Sequence, residues 1–329
     1  MKLIIQLPCL NEAETLPETL KALPREVPGF SVVEWLIVDD GSQDKTSEVA
    51  KSFGVDHVVR HKRHKGLSRA FVSGLHESVR LGADVIVNTD ADNQYEAKDI
   101  PKLVLPILEG RADIVVGARP IDTHRHFSFT KKMLQKLGSW VVRQVSHTDI
   151  PDTTSGFRAL TAEAAQQTVV FNEYTYTLET IIQAGHRKLA ITSVPIRINA
   201  VTRPSRLFRS IPAYIKKSAI VIVRVYVLYR PFHFFGTIGM FLLICGSLIG
   251  ARFLYYYFTG SGAGHIQSLI LMSILLGLGF QVVLTAFIAD LFSANRKILE
   301  EIRLIQKYPP QVVKNNVPEG SEDKPIVTQ

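Results

Sequence analysis

The sequence of 329 residues contains 38 lysines and arginines against 30 aspartates and glutamates, a formal net charge of +8. This length accommodates about two domains of roughly 100–200 residues each, and the positive charge suits a nucleic acid, an anionic membrane surface or a phosphate-bearing substrate. The cysteines, Cys9 and Cys245, are too few for a disulfide framework or a cysteine metal site.

The chain starts with a short apolar run and then alternates such runs with helical patterns to about residue 200. The N-terminal run is too short for a secretory signal, so we expect the chain to begin in the cytoplasm. The apolar runs are LIIQL, WLIVDD, HVV, VIVNTD and DIVVGA, and segments such as LSRAFVSGLHESVRLG separate them. This alternation predicts βαβ units and an α/β fold with a mainly parallel sheet covered on both faces. The G-x-G-x-x-G and Walker fingerprints are absent from the sequence.

Polar residues close three of these runs, and they are Asn11, Glu12, Asp39, Asp40, Asp90 and Asp92. Because ligands bind beyond the carboxyl ends of the strands in such sheets, we expect these residues to share one edge. Two carboxylates at a strand end can bind one hard cation, and Mg²⁺ or Mn²⁺ prefers oxygen ligands and keeps contact with substrate phosphates. The DAD triplet therefore predicts a metal site completed by a diphosphate; an acidic surface turn is the alternative.

The composition changes after residue 230. Two stretches without charge, Phe234 to Ala251 and Ile266 to Ala289, approach the ~20 residues that a helix needs to cross a bilayer. Lysines and arginines flank the outer ends of this pair, whereas the connecting loop TGSGAGH has none, so the positive-inside rule places both flanks in the cytoplasm. Two buried helices of a soluble domain are the alternative.

A basic segment precedes the apolar stretches. In TRPSRLFRSIPAYIKKSAIVIVRVYVLYRP the apolar residues recur at helical spacing among arginines and lysines. This pattern predicts helices on an anionic membrane surface, with an ordinary solvated basic face as the alternative. The predicted division is a catalytic domain over 1–202, basic amphipathic helices over 203–231, a transmembrane hairpin over 232–292 with spans near 234–256 and 266–290, and a polar tail over 293–329.

Six motifs in order carry a resemblance: LPCLNEAETL, VDDGSQDKT, HKGLSRAFVSGL, NTDADNQY, VVGAR and TSGFRAL. Their order resembles the family 2 glycosyltransferases of GT-A fold, in the dolichol-phosphate mannose synthase and polyprenyl-phosphate glycosyltransferase branch. The resemblance covers about the first 200 residues, and the basic segment with two spans is similar to the membrane-anchored members.

The resemblance implies a donor site at the strand ends. The residues implied for the nucleotide sugar are Pro8, Leu10, Glu12, Asp39, Asp40, Asp90 and Ala91. Asp39 would contact the base or ribose, and Asp40 would support its turn. Asp90, Asp92 and Gln94 would hold Mg²⁺ or Mn²⁺. Arg119 would neutralise phosphate, with a plain surface charge as the alternative. The residues implied as catalytic are Asp92, Arg119, Arg158 and Arg203. Lys65 and Gly66 would contact donor phosphates at a helix start; a solvated basic loop is the alternative for Lys65.

The acceptor side is implied by other positions. Ser155 and Arg158 match the family's acceptor-side turn, although SGFR alone is also consistent with a helix start. Arg203 and Arg206 stand where the family has basic residues. They are joined in this comparison by Lys132, which is aligned with another family arginine.

The resemblance does not supply a catalytic base. Some relatives have an aspartate where this chain has Gly156, so that base is not inherited. A phosphate monoester is already anionic near neutral pH and needs little general-base help. Glu179 would face the active edge, with helix capping as the alternative.

The predicted function is transfer of a hexose or N-acetylhexosamine from a UDP- or GDP-linked donor to undecaprenyl or dolichyl phosphate, with inversion, on the cytoplasmic leaflet. We expect a multi-pass plasma-membrane protein with both termini cytoplasmic, self-association and no nucleic-acid partner. One alternative is a processive polysaccharide synthase, whose Gln-x-x-Arg-Trp motif and additional spans are not seen in the sequence. A catalytically inactive nucleotide-binding scaffold and a small transport component are the others.

Overall fold

The computed structural model describes residues 1–120, 129–170, 176–199, 220, 223–224, 226–260 and 266–307. Its strands are β1 (Lys2–Cys9), β2 (Val32–Asp39), β3 (His57–Arg60), β4 (Val85–Asn88), β5 (Ile114–Ala118), β6 (Arg158–Thr161) and β7 (Ile191–Pro195). Its helices are α1 (Leu16–Ala22), α2 (Thr46–Ser52), α3 (Leu67–Arg80), α4 (Ile100–Leu108), α5 (Phe129–Ser146), α6 (Ala162–Gln167), α7 (Thr177–His186), α8 (Pro231–Phe258) and α9 (Ile266–Lys307).

The strands form one seven-stranded sheet in the order β3-β2-β1-β4-β6-β5-β7. The central strands β1, β2 and β4 are parallel, whereas β6 runs antiparallel to both of its neighbours. The five apolar runs form β1 to β5, as the sequence predicts. The segment after SGF does not start a helix: Arg158 opens strand β6. Four residues are too short to show a strand period, so the pairing partners decide this assignment.

Helices cover both faces of the sheet, which confirms the α/β class. Seven of the eight residues of β1 are buried, as expected of a parallel strand packed on two sides. Leu3, Ile5 and Leu7 pack with α1 and α4 on one face, and Ile4 packs with α3 on the other. The polar strand ends therefore lie between two packed layers that fix their positions.

A third apolar cluster joins the sheet to the chain before α8. Val142 and Val145 of α5 and Ile181 of α7 pack around Val116 of β5, and Tyr229 belongs to the same cluster. His186 stacks on the Tyr229 ring at a centroid distance of 5.5 Å. The start of the C-terminal helices is thereby fixed to the α/β domain.

Helices α8 and α9 are long and apolar enough to cross a membrane: the most apolar 18-residue windows in Pro231–Phe258 and Ile266–Leu299 have mean hydropathies of 2.0 and 2.3. Only 17% and 11% of their most apolar windows are buried in the protein. A core helix of a soluble domain would be mostly buried, so low burial favours a membrane environment. Both helices extend beyond the predicted spans, and α9 is helical into the segment predicted as a polar tail.

Small residues let the two helices approach closely. A Cβ on Gly239 would lie 2.7 Å from Val283 Cγ2, and one on Gly279 would lie 2.9 Å from Leu243 Cγ. Such contacts are typical of helix pairs in membranes, where dispersion and close packing drive association.

Candidate functional site

The ends of β1, β2 and β4 meet at one edge of the sheet. Cys9 pairs with Asp39 at the ends of β1 and β2, and Gln6 of β1 pairs with Asn88 at the end of β4. The polar residues that follow these strands therefore lie side by side. The expectation that they share one edge is confirmed.

The turn after β1 is joined to the turn after β2. Asn11 has a left-handed φ of 54°, and its side chain accepts a hydrogen bond from Gln43 N at 2.8 Å. The backbone N–H of Glu12 donates to Thr46 Oγ1 at 2.9 Å, and the Glu12 carboxylate accepts from the Thr15 hydroxyl. Pro8 is buried and Leu10 is half-buried. These contacts fix the backbone of the turn after β1, whose contact with a nucleotide stays a prediction.

Asp39 is fully buried within its own turn. Its carboxylate accepts from Ser42 N at 2.8 Å and from the Ser47 hydroxyl, and Arg60 Nε lies 3.5 Å away. The structure therefore gives Asp39 a role in shaping the turn, and the contact with base or ribose that the resemblance implies stays a prediction.

Asp40 holds the loop that contains the basic residues. Its carboxylate accepts from Lys65 N at 3.0 Å and Gly66 N at 2.8 Å, and it pairs with His61 and His64 at 2.7 and 2.8 Å. Asp40 thus supports the 61–66 loop, and the support of the Asp39 turn that the resemblance implies stays a prediction. Gly66 has a φ of 98°, a conformation that favours glycine. The backbone N–H groups of Lys65 and Gly66 are thus used by Asp40, which leaves the exposed Lys65 ammonium as the group able to reach a phosphate.

Asp90 and Asp92 lie in the turn after β4, which runs from Asp90 to Tyr95 and is called the acidic turn below. The buried Ala91 between them accepts from Thr19 Oγ1 at 2.8 Å, and Asp92 Oδ1 accepts from Gln94 N at 3.3 Å. The surrounding protein raises the pKa of Asp90 to about 7 by desolvation, and the neighbouring Asp92 charge adds to this shift. The residue as a whole is half-buried. Two crowded carboxylates are an arrangement that a bound cation would stabilise.

A buried polar network supports Asp90 from behind. The Tyr95 hydroxyl is hydrogen-bonded to Asp90 and accepts from Gly156 N at 3.0 Å. Asn88 Nδ2 donates to Gly156 O at 2.8 Å and to the Tyr176 hydroxyl at 3.0 Å. Asn88, Tyr95 and Tyr176 are not among the residues that the sequence predicted for the site. A polar residue closing the apolar run VIVN was the one signal available for Asn88.

Gly156 lies directly against the Asp90 carboxylate. A Cβ at this position would be 3.0 and 3.1 Å from the two Asp90 oxygens and 2.9 Å from the Tyr176 hydroxyl. A longer side chain would have to displace these groups. The packing around Asp90 therefore favours glycine at this position, and the aspartate that the resemblance leads one to compare with it would displace these groups.

Arg119 forms a two-point ion pair with Asp152. Its Nε lies 2.6 Å from Oδ2 and its Nη2 lies 3.0 Å from Oδ1, and Nη2 also donates to Thr154 Oγ1 at 2.7 Å. Burial would raise the pKa of Asp152, but the Arg119 guanidinium more than offsets this and lowers that pKa. Arg119 also influences Asp90 electrostatically. Its predicted role, neutralising the charge of a donor phosphate, stays a prediction.

Ser155 and Arg158 lie inside the protein instead of on the open side of the site. Both are 0% exposed. Arg158 donates to the carbonyls of Ser155 at 2.8 Å and Thr153 at 3.1 Å and to the Thr180 hydroxyl. Burial lowers its pKa to about 10. In this structure Arg158 therefore positions the 153–155 turn, and the catalytic role that the resemblance implies for it stays a prediction.

The other predicted acceptor residues are described only in part. Lys132 belongs to helix α5, but its side chain is not among the described ones. Arg203 and Arg206 also lie outside them. Glu179 is on α7 and is 4% exposed, which places it inside the fold rather than on an open edge.

The described residues contain no group of three or more histidine, cysteine, aspartate or glutamate side chains able to hold a metal. The acidic turn offers two carboxylates and the Gln94 amide. Such a set suits a hard cation that takes its remaining ligands from a substrate diphosphate.

Known proteins share this chain's sequence pattern. The undecaprenyl-phosphate mannosyltransferase of Micrococcus luteus is 28% identical over 206 residues, which cover 60% of this chain and 83% of the relative. The UDP-N-acetylglucosamine–dolichyl-phosphate N-acetylglucosaminyltransferase of Methanococcus voltae is 30% identical over 184 residues, covering 49% and 73% of the two chains.

A solved structure shares the fold. The glucosyl-3-phosphoglycerate synthase from Mycobacterium tuberculosis, in complex with Mn²⁺, UDP and glucosyl-3-phosphoglycerate, has a TM-score of 0.53 at 18% identity, covering 69% of this chain and 78% of that one. The family model described as Glycosyl transferase family 2 matches residues 4–168. The chain therefore belongs to glycosyltransferase family 2.

Proposed function

We propose that this protein transfers a hexose or N-acetylhexosamine from a nucleotide diphosphate sugar to a polyprenyl phosphate at the cytoplasmic face of the membrane. The observation that carries the proposal is the position of Asp90 and Asp92 beside the ends of β1 and β2, in a chain with two membrane-length helices. The relatives named for mannose and N-acetylglucosamine transfer to undecaprenyl or dolichyl phosphate support this substrate class.

Asp90, Asp92 and Gln94 would hold Mg²⁺ or Mn²⁺ together with the donor diphosphate. The fit rests on oxygen donors in one short turn and on the unfavourable proximity of the two carboxylates, which contributes to the raised pKa of Asp90. The bound cation would act as a Lewis acid that neutralises charge on the leaving nucleoside diphosphate. The solved structure with Mn²⁺ and UDP is consistent with this type of donor complex.

The chain's own residues would orient the donor and shield the reacting carbon. Thr19, Tyr95 and Gly156 fix the acidic turn from inside the fold. Arg119, held by Asp152, would direct positive charge toward the diphosphate. The nucleophile is the lipid phosphate oxygen: it forms a bond to the anomeric carbon as the bond from that carbon to the donor diphosphate breaks, with inversion. This exchange requires no net proton transfer, so a dedicated base is unnecessary.

The acceptor would approach from the membrane side. Arg203, Arg206 and Lys132 are proposed to contact its phosphate, since basic side chains form strong charge-assisted bonds with phosphate oxygens. In the proposed organisation, residues 1–202 form the catalytic domain, 203–231 lie on the membrane surface, and 232–292 form a hairpin with both ends in the cytoplasm. The packing of Tyr229 on the α/β domain supports an active edge held close to the bilayer.

The test is a transfer assay with the full-length protein in lipid nanodiscs containing undecaprenyl or dolichyl phosphate. Labelled UDP- and GDP-linked mannose, glucose and N-acetylglucosamine are supplied with MnCl₂ or with EDTA. We expect a single sugar on a mildly acid-labile lipid with one donor class, and no product with EDTA. The absence of lipid-linked product with every donor would contradict the proposal, and growing sugar chains would identify a processive synthase instead.

A further inference from the structure

The turn from Asp90 to Tyr95 is held from outside by Asn199. The Asn199 backbone N–H donates to Gln94 O at 2.9 Å. Its side-chain Nδ2 donates to Asn93 O at 2.9 Å and makes longer contacts of 3.4 Å with Asn93 Oδ1 and Tyr95 O. One residue thus reaches the carbonyls of three consecutive residues of the acidic turn.

The residues just before Asn199 run along the same loop. Ile198 forms an antiparallel bridge with Tyr95, and the Arg197 carbonyl accepts from Glu96 N at 3.3 Å. The Arg197 backbone N–H and guanidinium bind the buried Asp99 at 2.7 and 2.8 Å. Arg197 therefore anchors the segment to the loop beyond the acidic turn, whereas Asn199 contacts the turn itself.

The acidic turn has a conformation that benefits from such support. Asn93 has a left-handed φ of 54°, which is uncommon outside glycine and is tolerated best by asparagine and aspartate. Metal ligands must stay within about 0.2 Å of their proper distances, and groups behind the ligands usually provide this precision. Fixing the carbonyls of Asn93 and Gln94 also fixes the directions in which the Asp92 and Gln94 side chains leave the backbone.

We propose that Asn199 is a positioning residue that shapes the Asp90–Tyr95 turn for binding of the divalent cation and the donor diphosphate. This inference rests on the proposed function. Asn199 does not itself contact the cation or the donor. Loss of its side chain would remove the donor to the Asn93 carbonyl and the longer contact with the Tyr95 carbonyl, while the backbone bond to Gln94 O remains. The turn would then be held less firmly, and Asp92 and Gln94 could move away from a common centre.

The experiment measures the Mn²⁺ concentration that half-saturates nucleotide binding, by calorimetry on the full-length protein in nanodiscs with UDP and with GDP. Asn199→Ala is compared with Arg197→Ala, which loosens the same segment without touching the carbonyls of the turn. A lost hydrogen bond of about 1.4 kcal/mol corresponds to a tenfold change in a binding constant. We therefore expect the half-saturating Mn²⁺ concentration, called the Mn²⁺ constant, to rise about tenfold in Asn199→Ala and less than about twofold in Arg197→Ala. At saturating Mn²⁺, the turnover of Asn199→Ala should return most of the way to the wild-type value.

Three outcomes would overturn the inference. An unchanged Mn²⁺ constant in Asn199→Ala removes its basis, and an equal rise in Arg197→Ala assigns the effect to general docking of the segment. Nucleotide binding by the wild-type protein that does not respond to Mn²⁺ is a different failure, because it rejects the proposed metal site as well. If Asn199→Ala does not fold by circular dichroism, Asn199→Ser replaces it; its hydroxyl retains one donor, and we expect an intermediate Mn²⁺ constant.

Discussion

Arg119 and Asp152 are joined by two short contacts, of 2.6 and 3.0 Å, across 33 positions of the chain. The Asp152 side chain is 1% exposed. An aspartate engaged in this way is the counter-ion of Arg119, and both of its carboxylate oxygens already accept from that guanidinium. This agrees with a reaction whose nucleophile is already anionic.

Replacement of Asp152 distinguishes a counter-ion of Arg119 from a catalytic base. Removing one partner of a buried ion pair costs roughly 3 kcal/mol, so Asp152→Asn should lower the thermal unfolding temperature markedly. At a temperature where the variant is folded, its turnover should stay within about tenfold of wild type. Asp149→Asn, at a fully exposed carboxylate, is the matched control and should change neither quantity. Complete loss of turnover in folded Asp152→Asn would instead indicate a base.

Asp92→Ala tests the acidic turn. If the carboxylate holds a cation that neutralises the leaving group, its removal should lower turnover at least about 100-fold, equivalent to ~3 kcal/mol. The same variant should lose the Mn²⁺-dependent part of UDP or GDP binding while its circular dichroism spectrum is unchanged. Asp149→Ala serves as the control. Turnover equal to wild type would show that the turn is not the metal site.

Gly156→Ala tests the packing against Asp90. Because the added Cβ would lie 2.9–3.1 Å from the Tyr176 hydroxyl and the Asp90 oxygens, those groups must shift. Overpacking of this type costs about 1–3 kcal/mol, and we expect turnover to fall about tenfold or more with a moderately lower unfolding temperature. Gly277→Ala, where a Cβ meets nothing within 4 Å, should behave as wild type. Equal activities of the two variants would contradict the packing requirement.

The pH dependence of stability should carry a contribution from His186. Burial lowers its pKa from 6.5 to about 4, and positive charge from Lys297, His147, Arg230 and Arg296 adds to the shift. The unfolded chain binds this proton more readily than the folded one between these values. The stabilisation is therefore complete above about pH 6.5 and is lost as the pH falls toward 4.

His186→Phe keeps a ring to stack on Tyr229 and removes the titrating group. Thermal unfolding of both proteins between pH 7 and pH 4.5 should show a steeper loss of stability in the wild type. Comparing slopes cancels the carboxylates that titrate in both proteins. Parallel curves would mean that protonation of His186 does not oppose docking of the C-terminal helices on the α/β domain.

The sequence by itself determined the elements whose signals are local. Continuous apolar runs predicted β1 to β5, the polar residues after them predicted a shared edge, and uncharged stretches predicted α8 and α9. These predictions succeeded because burial on two faces requires apolar residues along the whole run and because a membrane helix must be apolar throughout its length.

Only the tertiary structure decided how the site residues are used. It showed that Arg119 pairs with Asp152, that Arg158 is buried beneath its own turn, and that Asn199 reaches the carbonyl of Asn93 across 106 positions. The physical reason is that hydrogen bonds and ion pairs between distant segments depend on which strands are neighbours, and no periodic pattern in the chain records this. Strand β6 lies antiparallel between β4 and β5, and this arrangement of strands brings Gly156, just before β6, against Asp90, just after β4.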